Sequence, residues 1–306
     1  MSDNSSDNTL LSSDVRMPSD GEIKANSSVG KKDRVWEIDF LRALCIFLVW
    51  FDHTMCDIIM CGPNFNTEFG KKILEIADWY WYCEYRMIIQ PFMVYVFVAL
   101  SGISCILCRN NFRRSLKMLC LSGLFTIITW WAQTVMGIGC LITFNIIHLV
   151  SVSTLVYGLM ELFEKHVGKI PNIIIVVFAL AMILFGEYFV YCVKHGLGPA
   201  SEAKCFLDIY KYYNPEPDSI GSIFFMHSQA MSGKADFLPL FPSLGYFLMA
   251  AVFARHAYKD RKTLFPKFRQ EKARFVLFCG RHTLWIYFGG QVVMFGLVYL
   301  LSSLIN

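Results

Sequence analysis

The sequence predicts an all-α, polytopic membrane helix bundle, and three observations carry that prediction. First, 55% of the 306 residues are hydrophobic and only 17% are charged, against roughly 45–50% and about 25% in a soluble domain. Second, the apolar residues fall into separated blocks, each near the ~20 residues that cross a bilayer as helix. Third, these blocks lack the alternation of apolar and polar residues that marks a membrane β-barrel.

Seven spans are expected, at about 39–61, 87–108, 115–137, 141–163, 172–194, 237–256 and 275–302, or eight if the segment 220–232 (SIFFMHSQAMSG) dips into the membrane as a half-helix. The last span is interrupted by CGRH at 279–282, which predicts a short cap followed by a helix from about residue 282. Residues 1–33 are rich in Ser, Asp and Asn and poor in aliphatics. They read as a disordered tail ahead of one membrane domain at 34–306. No basic segment followed by an apolar core precedes that domain, so no cleavable signal peptide is expected.

Loop charges set the expected orientation. Lys31, Lys32 and Arg34 flank the first span, and Arg109, Arg113, Arg114 and Lys117 follow the second. Lys165 and Lys169 follow the fourth, and Arg255 to Arg274 supplies eight more cations after the sixth. These are alternate loops, so the positive-inside rule puts them, and the N-terminus, in the cytoplasm. A net charge of +4 distributed this way answers to topology and argues against nucleic acid as a partner. Membrane lipid is the expected surrounding. Two outer segments are long. Residues 62–86 end in the aromatic cluster ADWYWYCEYR, and 195–236 include DIYKYYNPEPD. Such aromatics suit an interfacial belt or stacking on sugars.

Eleven cysteines are scattered, mostly in apolar blocks, where Cys behaves as a small hydrophobe. The single C-x-x-C, Cys105 to Cys108, has no second pair and makes no zinc or redox site. Cys56, Cys61, Cys83, Cys140, Cys192 and Cys205 fall on the outer side, where disulfides are permitted. No metal-ligand spacing stands out.

The chemistry concentrates in the first span. Arg42 and His53 are eleven positions apart, which is three turns plus about 20°, so they share one helix face about 16 Å apart along its axis. Asp39 and Asp57 extend the same stripe at either end, and Asp52 is rotated about 100° from His53. An ionisable group in a membrane helix costs ~2.5–3.5 kcal/mol on insertion scales. Four on one face must therefore meet protein, water or substrate. A satisfied polar network is the ordinary structural explanation for any one of them; a substrate path explains the whole stripe.

WEIDFLRALCIFLVWFDH at 36–53 resembles the first helix of acyltransferase-3-type membrane enzymes, whose signature is a basic residue, ten residues, then histidine. More closely, the chain is similar to the heparan-α-glucosaminide N-acetyltransferase catalytic-domain family. The similar segments run in the family's order: RVWEIDFLRA at 34–43, FVALSGISC at 97–105 with Arg113–Arg114, ITFNIIHLVSVS at 142–153, DFLPLFPSLGYFLMA at 236–250 and GRHTLWIYFGGQ at 280–291. Ala43 and Asn145 depart from glycines usual in the family, and Gly290 stands where it has a histidine.

The resemblance implies transfer of an acyl group, most simply acetyl, from cytoplasmic acetyl-CoA or another acyl-CoA to a hydroxyl or amine of a carbohydrate or glycolipid acceptor on the far side. His53 is then the general base or transient acyl carrier, with Asp57 or Asp52 orienting its ring. Arg42, with Asp39, Arg113 and Arg114, would hold the donor, since the planar guanidinium fork suits oxyanions. His148, Asp236, Ser101 and Arg281 are the expected acceptor-side residues. Each also has a structural alternative: a core histidine, an N-cap of the sixth span, a Ser-Gly helix contact and a loop anchor. Two other classes fit a polar stripe. One is a transporter or channel. The other is an intramembrane serine protease built on Ser101 and His148, although Ala99 replaces the usual glycine two residues before the serine.

Overall fold

The computed structural model describes residues 35–136, 141–194 and 236–304, apart from 261, 267 and 269. Its described helices are α1 (Trp36–Met60), α2 (Glu68–Trp81), α3 (Glu84–Leu107), α4 (Asn111–Met136), α5 (Ile146–His166), α6 (Asn172–Lys194), α7 (Ser243–Ala257), α8 (Arg274–Arg281) and α9 (Thr283–Leu304). Single 3-10 turns lie at Gly62–Asn64 and Gln270–Ala273, and the described residues contain no strand. The tail 1–33 and the segment 220–232 lie outside the described residues.

Five of these helices are long and apolar enough to cross a membrane: Trp36–Met60, Glu84–Leu107, Asn111–Val135, Ile146–His166 and Thr283–Leu304. The expected span at 172–194 is helix α6, whose described apolar run is Asn172–Tyr188. The expected span at 237–256 is reduced to α7, 15 residues long. That is ~22 Å of helix, short of the ~30 Å hydrocarbon thickness, because residues 237–242 are not helical but lead into it past Pro239 and Pro242. The break at CGRH falls where the sequence puts it: α8 ends at Arg281 and α9 starts at Thr283.

Local chemistry explains the other boundaries. Thr67 caps α2, its Oγ1 accepting from the Gly70 N–H at 3.2 Å, as an N-cap hydroxyl should. Asn145 caps α5, with Oδ1 accepting from Ile147 N–H (3.1 Å) and His148 N–H (3.4 Å). That cap moves the helix start from the expected 141 to Ile146.

Helix α7 packs against α3, α5 and α6, α4 packs on α5, and α1 packs against α2, α3, α8 and α9. The main core joins Val98 of α3, Leu149 and Tyr157 of α5, Ala179 of α6, and Phe247, Leu248 and Ala251 of α7. A second core sets Ile38 and Cys45 of α1 against Leu100 of α3 and Ala254 of α7. By contrast Ile127, Leu184, Val292 and Leu304 are exposed, as expected of side chains that face lipid.

Close crossings depend on missing side chains. A Cβ on Gly102 would lie 2.3 Å from the Phe247 carbonyl oxygen, and one on Gly280 would lie 1.6 Å from that of Asp39. Gly123, in α4, has nothing within 4 Å. Gly280→Ala must therefore push α8 off α1 and should destabilise by about 3 kcal/mol or more, the upper end of overpacking. Gly123→Ala should be neutral or stabilise by up to ~1 kcal/mol through helix propensity. Thermal unfolding of both variants in the same detergent checks the contrast.

Candidate functional site

The site is built on α1, whose ionisable side chains divide by what they meet. At its N-terminal end Glu37 is buried and fully occupied. It accepts from Thr263 Oγ1 (2.7 Å), the Leu264 N–H (2.7 Å) and Tyr258 OH (3.4 Å). Beside it Trp36 stacks on Phe268 with centroids 3.9 Å apart and donates from Nε1 to the Phe265 carbonyl at 3.1 Å. Asp39 accepts from Arg281 Nε at 3.2 Å. That ion pair takes up both an expected donor-binding carboxylate and the arginine expected at a ligand-facing half-helix end; it fastens α8 to α1.

Arg42 is different. It is half-buried, and its Nη2 donates to Ser104 Oγ of α3, which in turn donates to the Leu100 carbonyl at 2.6 Å. Among charged groups another cation, Arg114, acts on it most strongly, with Asp39 next. Neither Arg42 nor Arg114 forms an ion pair with a described residue. With one N–H of Arg42 given to Ser104, most of the ten N–H donors of these two guanidiniums are left for an anion. Arg113 is exposed beside them on α4.

Toward the C-terminal end of α1, Asp52 is engaged away from His53. Arg86 clamps it in bidentate fashion, Nε to Oδ1 at 2.7 Å and Nη2 to Oδ2 at 3.1 Å. Tyr80 OH adds a third bond at 3.2 Å. Burial first, and the Asp52 carboxylate next, push the Tyr80 phenol up to about 12, so it remains a donor. The Arg86 guanidinium also lies 3.5 Å over the Trp81 ring. With both oxygens bound, Asp52 fastens the α2–α3 junction to α1 and makes no hydrogen bond with the His53 ring.

His53 is half-buried and makes no hydrogen bond with a described residue. Its ring sits edge-on to Tyr287 of α9, centroids 6.4 Å apart. Asp57, one turn on, is buried at 4% exposure, is coupled electrostatically to His53, and has an Oδ2 without a hydrogen-bond partner. Asp236 reaches the same place from the segment before α7. Its Oδ2 accepts from Tyr287 OH at 3.0 Å, and His53 acts on it electrostatically. Asp236 is not the expected N-cap: α7 begins seven residues later behind Pro242, with no side-chain cap.

His148 lies across the bundle. Asn145 Oδ1 is fixed as an acceptor by two backbone N–H groups, so His148 Nδ1, 2.9 Å from it, carries the proton and donates. The 3.4 Å approach of the Asn145 N–H to the same nitrogen is the weaker contact. Nε2 then accepts from Thr126 Oγ1 at 3.1 Å. Both ring nitrogens are engaged. Ser101 is buried at the α3–α7 crossing and donates to the Phe97 carbonyl at 2.9 Å. Next to it Gly102 makes the close backbone crossing with α7, and Ser101 pairs with no described histidine.

Gly290 adjoins Trp50, one turn before His53. A Cβ there would lie 2.3 Å from three atoms of the indole, so the indole fills the room a histidine side chain at 290 would need. Cys56, Cys61 and Cys83 carry free thiols; Cys140, Cys192 and Cys205 lie outside the described side chains. Sequence reasoning missed Arg86, Tyr287, Ser104 and Trp50 as partners. Only Asn145 left a readable signal, an Asn three residues before a polar side chain at a helix start.

A model of the catalytic domain of heparan-α-glucosaminide N-acetyltransferase matches residues 34–292. No curated protein and no solved structure matches the chain. The family match spans α1 through the first ten residues of α9 in one piece, so the chain belongs to that acetyltransferase family.

The Asp52–Arg86 clamp predicts a sharp stability effect. Arg86→Ala leaves a carboxylate unpaired and should cost ~3–5 kcal/mol, as breaking buried pairs does. Arg86→Ala with Asp52→Asn should recover much of that loss. A double-mutant cycle on thermal unfolding checks it, and additive losses would refute the pairing.

Proposed function

We propose that this member of the acetyltransferase family moves an acetyl group from acetyl-CoA, bound at the N-terminal end of α1, to a hydroxyl or amine of a glycan or glycolipid presented at the opposite end. The observation that carries the proposal is the set of α1 groups with unspent capacity: Arg42, His53 and Asp57, on one face of a helix whose other acids are paired.

Residues 34–292 match an N-acetyltransferase catalytic domain, which supports the reaction class. The positive loops after α3, α5 and α7 support a cytoplasmic N-terminus, and α6 and α7 would complete seven crossings with the five long helices. Arg42 and Arg114, with Arg113 at the rim, suit the phosphates or pantetheine carbonyls of the donor. His53 lies ~16 Å further along the helix, a distance the extended pantetheine arm bridges.

There His53 takes the proton from the acceptor O–H or N–H as the oxygen or nitrogen attacks the thioester carbonyl. The carbon–sulfur bond breaks, and the departing thiolate of CoA takes that proton back from the imidazolium. A transient acetyl-histidine would split the same transfer into two steps. The Asp57 oxygen without a partner suits a hydroxyl or ammonium of the acceptor. Arg281 and Asp39, paired with each other, would shape the donor end without touching substrate, and His148 would support the acceptor end through Asn145.

The test is turnover of radiolabelled acetyl-CoA by the full chain in nanodiscs, with glucosamine-type and polysaccharide acceptors. Acceptor-stimulated CoA release should fall ~100-fold or more in His53→Ala, the scale of lost general-base catalysis. Arg42→Ala should instead raise the KM for acetyl-CoA. A folded wild type that fails to bind acetyl-CoA would overturn the proposal, and acceptor uptake into vesicles without CoA release would favour a transporter.

A further inference from the structure

Three carboxylates surround His53, and they are not equivalent. Asp52 has both oxygens bound by Arg86 and one of them also by Tyr80. Asp57 stands on the same helix, four residues on, and its position relative to the ring follows whatever α1 does. Asp236 comes from a different element and is held from three sides. Tyr287 OH donates to its Oδ2 at 3.0 Å. The Asn145 side chain lies beside it, its Nδ2 buried but short of full hydrogen-bond geometry. The backbone two residues on is clamped to the start of α5, where the Leu238 N–H donates to the Phe144 carbonyl at 3.0 Å.

The conformation of Asp236 is itself an outlier. Its φ is +47°, in the left-handed region that few non-glycine residues occupy. Such strain persists where surrounding structure imposes it, and it concentrates at working sites. Among the described residues no helix takes this residue as a cap, since α7 starts at Ser243 behind Pro242. What the conformation achieves is to turn the carboxylate toward α1 and α9. There it meets His53 electrostatically, within a few ångströms of the Tyr287 ring against which that histidine stands. Among the described residues no hydrogen bond reaches Oδ1.

We propose that Asp236, held by Tyr287 and Asn145, is the carboxylate that positions His53. In the working site its carboxylate accepts from one ring nitrogen of His53, a bond the structure leaves unmade, and so presents the other nitrogen to the acceptor. The role rests on the acetyl-transfer reading, in which His53 is the base. Asp236 is a positioning residue: it fixes which nitrogen carries the proton and steadies the imidazolium that forms when His53 takes a second one, as a buried carboxylate does for a catalytic histidine elsewhere. Tyr287 keeps Asp236 from rotating away. Asn145, beside the carboxylate, is joined through His148 to Thr126 of α4, so polar groups of α9, α5 and α4 line up across the bundle. Asp57 is thereby left to the acceptor.

Two readouts on the full chain in nanodiscs test this. Nitrogen-15 NMR of histidine-labelled protein, with His53→Gln to assign the signal, reports the tautomer of His53 directly. Wild type should show one protonated and one bare ring nitrogen, and Asp236→Asn should shift the His53 pair toward exchange averaging while Asp57→Asn leaves it in place. Kinetically, Asp236→Asn should lower kcat ~100-fold or more with the KM for acetyl-CoA within about threefold. Asp236→Glu should retain more activity than the amide, and Tyr287→Phe should fall between wild type and Asp236→Asn. Unmoved His53 resonances in Asp236→Asn would overturn the pairing. So would a rise in acceptor KM with kcat unchanged, which would make Asp236 an acceptor contact. If wild type transfers no acetyl group to either acceptor class, the functional reading fails, while the NMR arm still decides whether Asp236 holds His53.

Discussion

An ionisable side chain on an apolar helix must be given a partner, and this requirement, applied six times along α1, organises the molecule. Glu37, Asp39 and Asp52 are each bound by groups from elsewhere in the chain: the 263–265 turn, Arg281 and Arg86. Arg42, His53 and Asp57 are not. Arg42 spends one of its five donors on Ser104, His53 makes no hydrogen bond with a described residue, and Asp57 keeps an oxygen without a partner. In a medium where unpaired polar groups are so costly, the unsaturated ones are the positions the proposed function assigns to substrate. The saturated ones do structural work next to them.

That structural work decides how the helices are arranged. Lipid tails are as apolar as leucine, so burial of apolar surface does not choose one helix arrangement over another within the bilayer. The polar pairs do. Asp39 draws in Arg281 from 242 positions away, and Gly280 lets the two backbones meet. Asp52 draws in Arg86 and with it the α2–α3 junction. On the far side Arg255 of α7 reaches Glu164 of α5 in bidentate fashion, at 2.9 and 3.2 Å, and Asn172 of α6 at 3.3 Å. Helix α1 is thus held by Asp39, Asp52 and their partners, while His53 makes no hydrogen bond with a described residue.

Much of this was legible in the sequence, and the limits have physical causes. Blocks of apolar residues identify helices because span length is set by bilayer thickness, and the break before Thr283 showed because CGRH interrupts such a block. The Arg42–His53 stripe followed from helical period alone. Two things were hidden. The first is long-range pairing: nothing local to Asp52 says that Arg86 will take both its oxygens, nor does anything local to Ser101 distinguish a packing serine from a reactive one. The second is where polar local structure replaces helix. Asn145 caps α5 five residues into an apolar block, and 236–242 stays out of helix in a segment whose hydropathy suits a span. That second departure matters most, because it brings Asp236 to Tyr287, the ring beside His53.

The most direct test of the account is a cryo-electron microscopy map of the full chain in nanodiscs with acetyl-CoA and no acceptor. The account predicts donor phosphates against Arg42 and Arg114, a pantetheine arm running along the polar face of α1, and the thioester carbonyl within about 4 Å of a ring nitrogen of His53, the approach a reactive geometry needs. Donor density elsewhere, or a thioester remote from His53 with Arg42 still bound only to Ser104, would contradict it.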